Sequence, residues 1–244
     1  PMDKSSPIFH KVGQSHVLSA GYGVLLLGVV SASIFLDGNI TDIFHVGLYT
    51  PLIFALYVIG VRLVYVYERK FLSTIAGETV EKLKYDNISG MRAALMYSIN
   101  ALIIIVAAAW LPLIADEAAR LTGLGKSFMG TFFVAMTTTL PEFVVSFAAI
   151  RIGAPDLAIG NLLGSNMFNI AILGVDDLLY TKGPLLSSIS NSHAITGIMA
   201  ILMTAIVLIS ITYRHEKKAI RFGWDSLAML AFGALGMYFV YVMG

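Results

Sequence analysis

The sequence predicts an all-α integral membrane protein with seven transmembrane helices. Three observations carry this expectation. Of 244 residues, 57% are hydrophobic and only 13% charged, against about 25% charged in an ordinary soluble domain. The mean hydropathy is +0.81. The apolar residues gather into seven runs, each near the roughly 20 residues that a helix needs to cross a bilayer. Strands are excluded because open sheet edges find no hydrogen-bond partners in lipid. A net charge of +1 points to no nucleic acid, and the absence of cysteine excludes disulfides and thiolate metal sites.

In order, the runs are 17–36, 46–67, 93–115, 130–150, 156–180, 194–213 and 224–243. The connections set the direction of each, because basic residues collect on the cytoplasmic side. Lys4, Lys11, Arg69, Lys70, Lys82, Lys84, Arg92, Arg151, Arg214, Lys217, Lys218 and Arg221 fall on one side, twelve against Arg120, Lys126 and Lys182 on the other. The N-terminus of the chain is therefore expected in the cytoplasm and the C-terminus outside. Short connections without a large polar domain point to a prokaryotic inner membrane. Arg62, inside the second run, is expected to snorkel to the interface. The stretch Glu68–Arg92 reads as a mixed-charge cytoplasmic loop.

The first two runs resemble the last two. Pro7-Ile8 and Ser15-His16 recur as Pro184-Leu185 and Ser192-His193, 177 residues later. Leu25, Val30, Ser33 and Ile34 match Leu202, Val207, Ser210 and Ile211 at the same offset. At an offset of 176, Gly47, Ala55, Gly60 and Val64-Tyr65-Val66 meet Gly223, Ala231, Gly236 and Val240-Tyr241-Val242. Five helices from each run to its copy reverse the direction, which makes an inverted repeat of the kind on which secondary transporters are built. On this arithmetic residues 1–67 form the last two helices of a first half and 93–244 a complete second half of five. About three N-terminal spans are then expected before residue 1, giving ten in all. Ser15 and Ser192 are candidate N-caps for matched helices, with His16 and His193 as interface anchors.

Within the fourth run, Glu142 follows Pro141 and three threonines. A charged group at mid-bilayer costs about 2.5–3.5 kcal/mol on insertion scales, so a chain that keeps one there has a use for it. Pro141 offers no N–H to the Thr137 carbonyl a turn earlier. Thr138 and Thr139 stand four and three residues before Glu142, on one helix face, and Ala135 lies one further turn back as a candidate carbonyl ligand. In the fifth run Asn161, Ser165 and Asn169 recur every four residues, with Asn166 three before Asn169. Gly160 and Gly164 permit close helix approach. Such hard oxygen ligands suit Ca²⁺, Na⁺ or Mg²⁺. Ca²⁺ takes about 6–8 oxygens, more than one half of this kind provides. Helix packing is the competing reading, strongest for Asn161 and Asn166 and weakest for Glu142. Asp176-Asp177 reads as an interfacial helix end, because the motifs of membrane aspartyl proteases and prenyl-diphosphate enzymes are missing around it.

These motifs, Thr137-Thr138-Thr139-Leu140-Pro141-Glu142 and Gly160-Asn161-Leu162-Leu163-Gly164-Ser165-Asn166, resemble the second α-repeat of the sodium/calcium exchanger superfamily. The resemblance is strongest over about residues 125–180. It implies part of a ten-helix inverted-repeat antiporter, with the missing N-terminal half carrying the first α-repeat. It also implies Glu142 as a carboxylate shared by Ca²⁺ and its counter-ion, Thr138, Thr139 and Ser165 as hydroxyl ligands, and the Ala135 carbonyl as another. Asn169 stands where some members carry a second acid. The expected function is Ca²⁺/Na⁺ exchange by alternating access, with a Ca²⁺/H⁺ or other divalent-cation/H⁺ antiporter as the alternative and a cation channel further behind. No cofactor and no enzymatic activity are expected; the partners are the lipid bilayer and the transported cations.

Overall fold

The computed structural model describes residues 7–36, 42–75, 89–212 and 224–243. These residues are mostly helical, with short turns between the helices and a two-rung antiparallel ladder, β1 (Asp42–Ile43) with β2 (Val46–Gly47). The helices are α1 (Pro7–Phe35), α2 (Tyr49–Ile75), α3 (Gly90–Thr122), α4 (Lys126–Met129), α5 (Ala135–Thr138), α6 (Leu140–Arg151), α7 (Pro155–Leu179), α8 (Ser192–Thr212) and α9 (Trp224–Met243). A π-helical turn, Gly130–Val134, joins α4 to α5, and a 3₁₀ turn, Leu185–Ser188, precedes α8. Six of the helices are long and apolar enough to cross a membrane. The segment from Lys126 to Arg151 makes a seventh crossing if its two arms, bent by 41°, count as one span.

The core gathers on α1, whose Leu26, Val30 and Ile34 recur every four residues and are buried, the spacing of a single helical face. They meet Tyr49 and Ile53 of α2, Met167 of α7, Leu186 of the 3₁₀ turn and Ala194 of α8. α1 packs on α8, α2 and α7; α9 packs on α8, and α6 on α7. α3 lies at the periphery against α4 and the π turn, and its most apolar window has no buried residue.

The two matched helix pairs cross alike. A Cβ at Gly60 of α2 would stand 2.8 Å from Tyr22 Cγ of α1, and one at Gly236 of α9 would stand 3.2 Å from Met199 Cγ of α8. Met199 follows Tyr22 by 177 residues and Gly236 follows Gly60 by 176. The same glycine thus opens the same crossing in both pairs.

Three expectations are revised. The second crossing begins as helix at Tyr49 rather than Val46, because Val46–Gly47 pairs with Asp42–Ile43 around Phe44 in the left-handed region (φ 63°). Ser15 is no N-cap, since α1 already begins at Pro7. At α8 the capping hydroxyl belongs to Ser190, which accepts from Ser192 N at 3.3 Å. Of the expected loop Glu68–Arg92, residues up to Ile75 continue α2 and α3 starts at Gly90, while 76–88 lie outside the described residues.

Candidate cation site

The fourth crossing breaks where its composition demands. Pro141 removes a backbone donor and crowds the carbonyl a turn before it. Each preceding threonine turns its hydroxyl back onto the helix: Thr137 Oγ1 donates to Phe133 O (2.8 Å), Thr138 Oγ1 to Val134 O (3.1 Å) and Thr139 Oγ1 to Ala135 O (2.8 Å). Such back-bonding bends helices, and the π turn just upstream loosens the ladder further. Thr139 sits at the break with φ −91° and ψ −2°, in the sparsely populated bridge region. A new helix, α6, starts there and carries Glu142 in its first turn, where the positive end of a helix suits a negative group.

One carboxylate oxygen of that residue, Glu142 Oε2, is buried and has no hydrogen-bond partner among the described residues. Desolvating a carboxylate oxygen without a partner costs free energy that a bound cation would recover. Beside it lies a cavity of about 440 Å³ between α6 and α7. Its polar lining is Thr139, Glu142 and Ser146 from one side and Ser165, Asn166 and Asn169 from the other. Phe143, Phe147, Ile150 and Leu162 complete the wall.

The structure therefore brings five of the eight sequence-predicted residues to one cavity: Thr139, Glu142, Ser165, Asn166 and Asn169. The other three lie off its lining. The Ala135 carbonyl already accepts from Thr139 N (3.0 Å) and from the Thr138 and Thr139 hydroxyls. Thr138 Oγ1 points back along its own helix. Asn161 donates through Nδ2 to the Glu142 carbonyl and to Ser146 Oγ, both at 3.2 Å. Of the two small residues expected to admit a neighbour, Gly160 is approached by His16 Cε1 (3.6 Å from a built Cβ), whereas the Cβ direction of Gly164 is open.

Two features escaped the sequence reading. Ser146 is buried (8% exposed) and bridges α6 to α7; its place four residues after Glu142 was the available signal. Asp177 was read as an interfacial helix end, yet it is fully buried (0% exposed). Its carboxylate accepts from Gly47 N (3.0 Å), Thr50 Oγ1 (2.6 Å), Leu185 N (2.7 Å) and Tyr49 OH, and Tyr49 OH in turn accepts from Leu186 N (3.0 Å). This knot ties the end of α7 to the start of α2 and to the 3₁₀ turn. With every lone pair engaged, Asp177 is an anchor rather than a cation ligand. A second hollow of about 530 Å³ at the α3–α4 turn is lined by Asp116, Glu117, Arg120 and Lys126. Its charges neutralise one another, Lys126 on Asp116 (3.0 Å) and Arg120 on Glu117.

Comparison with known proteins finds related sequences. The chain is 36% identical over 115 residues to sodium/calcium exchanger MaX1 of Methanosarcina acetivorans, covering 47% of this chain and 31% of that protein. It is 31% identical over 163 residues to inner membrane protein YrbG of Escherichia coli, covering 64% of this chain and 48% of that one. It is 30% identical over 131 residues to sodium/potassium/calcium exchanger 2 of Gallus gallus, covering 53% and 19%. The matched stretch is less than half the length of each relative. No solved structure matches. The family model described as sodium/calcium exchanger protein matches residues 92–244, well over half of the chain and the whole of the broken helix, its cavity and the helices that follow. The chain belongs to the sodium/calcium exchanger protein family.

Proposed function

We propose that the chain is the cation-binding part of a membrane antiporter that exchanges Ca²⁺ for Na⁺ by alternating access. The observation that carries this reading is the unpartnered, buried Glu142 Oε2 beside a cavity lined by hydroxyl and amide groups. Glu142 supplies the charge, Thr139 and Ser165 supply hydroxyl oxygens, and Asn166 and Asn169 supply amide oxygens. Thr138 and the Ala135 carbonyl flank the break and join the set if the back-bonds of the broken helix open. The names of the relatives, which include Na⁺/Ca²⁺ and Na⁺/K⁺/Ca²⁺ exchangers, support the choice of cations. Ca²⁺ needs about 6–8 oxygens; in this reading a second copy of the two motifs, outside these residues, supplies the rest. The reading keeps the N-terminus of the chain cytoplasmic and the membrane a prokaryotic inner one.

Exchange follows from competition. One carboxylate holds either Ca²⁺ or its counter-ion, and occupancy by one expels the other. Among the described residues Glu142 is the single carboxylate lining the cavity. This favours a second reading in which a proton on the same group is the counter-ion.

The test is ⁴⁵Ca²⁺ uptake by proteoliposomes containing the full-length protein, driven first by a Na⁺ gradient and then by a pH gradient. Glu142→Gln is expected to abolish uptake, at least a hundredfold, because the neutral amide forfeits the charge that offsets desolvation. Uptake under the pH gradient alone would select the second reading. Wild-type uptake by the variant would remove Glu142 from the site.

A further inference from the structure

We infer that Ser146 and Asn161 form a clasp that positions Glu142 against the cavity oxygens of α7, and that Asn161 serves transport as a positioning residue. The inference rests on the cation site proposed at Glu142. The Glu142 carbonyl can only accept, so the Asn161 atom 3.2 Å away must be the amide nitrogen. The second proton of that nitrogen goes to Ser146 Oγ, also at 3.2 Å. Ser146 Oγ then donates to Ala158 O at 3.5 Å. Both amide protons and the single hydroxyl proton are spent, so the three groups form a closed set.

The location of this set gives it its consequence. Upstream, α6 is not continuous with its own span: the chain bends by 41° at Thr139, and Pro141 carries no proton for the turn before it. The first turn of α6 therefore lacks one backbone bond to the turn before it, although Phe143 N still donates to Thr139 O at 3.1 Å. The Glu142 carboxylate oxygen Oε2 has no partner of its own among the described residues, so the backbone decides where the carboxylate lies. Asn161 holds that backbone. It belongs to α7, the helix that also carries Ser165, Asn166 and Asn169, one and two turns further on. A bond from Asn161 to the Glu142 carbonyl therefore registers the acid against the very helix whose oxygens complete the site. Small buried residues, Ala149 at 2% and Ala158 at 5% exposure, bring the two helices close enough for the clasp to close. Side chains that fix a ligand's geometry from behind in this way commonly change affinity about 10-fold or more when removed.

The experiment measures ⁴⁵Ca²⁺ uptake against Ca²⁺ concentration in proteoliposomes of the full-length protein, with Ser146→Ala, Asn161→Ala, the double variant and Ser146→Thr. Thermal unfolding in detergent is followed in parallel. Each alanine variant is expected to raise half-saturating Ca²⁺ about 3- to 10-fold, with the maximal rate per folded transporter within about twofold of wild type. The double variant is expected to be no worse than Asn161→Ala, since the bonds act as one unit. Ser146→Thr, which keeps the hydroxyl, is expected to restore half-saturation near the wild-type value. Half-saturation unchanged in both alanine variants, with only a lower unfolding temperature, would reduce the clasp to helix packing and overturn the inference. So would single effects that multiply in the double variant. If Asn161→Ala does not fold, Ser146→Ala decides alone, because it removes one oxygen and leaves the small side chain in place. Glu142→Gln serves as the reference: if it transports like wild type, the cation site itself is lost, whereas an inactive Glu142→Gln beside an unaffected Ser146→Ala removes the clasp alone.

Discussion

Two carboxylates, Asp177 and Glu142, stand in opposite surroundings. Asp177 accepts from two backbone amides and two hydroxyls, so its desolvation is offset within the protein. Glu142 leaves an oxygen unpaired among the described residues, and in the proposed function a cation offsets its desolvation. Asp177→Ala is expected to destabilise the folded state by about 3–5 kcal/mol, because four donors lose their acceptor together. Tyr49→Phe removes one of those donors and the acceptor of Leu186 N, and is expected to cost about 1 kcal/mol. Thermal unfolding in detergent orders the two, and an Asp177→Ala protein as stable as wild type would contradict the knot. Glu142 was legible in the sequence because a carboxylate among apolar residues needs a reason to be there. Asp177 was not, because its partners on β2 and α2 lie 127–130 residues away along the chain and an acid at a helix end looks ordinary. Asn161 stood in between: its spacing placed it on the stripe with Ser165 and Asn169, but spacing does not say which way an amide turns.

At the scale of helices, composition located the crossings well and their interruptions less well. Hydropathy finds every long helix, since each is apolar over about 20 residues. It is blind to the π turn at Gly130–Val134 and to the β ladder that delays α2, because both depend on which backbone groups find partners rather than on side-chain polarity. The matched glycines at the helix crossings separate pattern from packing. A methyl at Gly60 would meet the Tyr22 ring at 2.8 and 2.9 Å and Met167 Cε at 3.0 Å; at Gly236 it meets Met199 Cγ and Cβ at 3.2 and 3.3 Å. The Tyr22 ring yields less readily than a methionine side chain. Gly60→Ala is therefore expected to cost about 1–3 kcal/mol, and Gly236→Ala less. Unfolding temperatures of the two variants check the order, and a larger loss at Gly236 would mean that the first crossing is not as tight as its geometry.

For the whole molecule, the proposed exchange at one site would make the two cations competitors. External Na⁺ is expected to raise half-saturating Ca²⁺ in uptake assays while leaving the maximal rate unchanged, and by linkage Ca²⁺ weakens Na⁺ binding by the same factor. Na⁺ that lowers the maximal rate without moving half-saturation would point to separate sites. Any net charge carried per cycle adds about 2.3 kcal/mol per charge for each 100 mV, so the ratio of ions exchanged determines the direction of flux at a given potential.

The Asp177 knot also imposes an order in time. Gly47 and Thr50 precede their acceptor by 130 and 127 residues. At about 5–20 residues per second of synthesis, that separation is a wait of roughly 6–25 s. During it the start of α2 has donors and no carboxylate. The acceptor arrives on α7, and the last donor, Leu185 N, emerges only eight residues later. A nascent chain stopped before α7 thus leaves these donors without their acceptor, and the helix that supplies it also carries Ser165, Asn166 and Asn169 of the cavity lining.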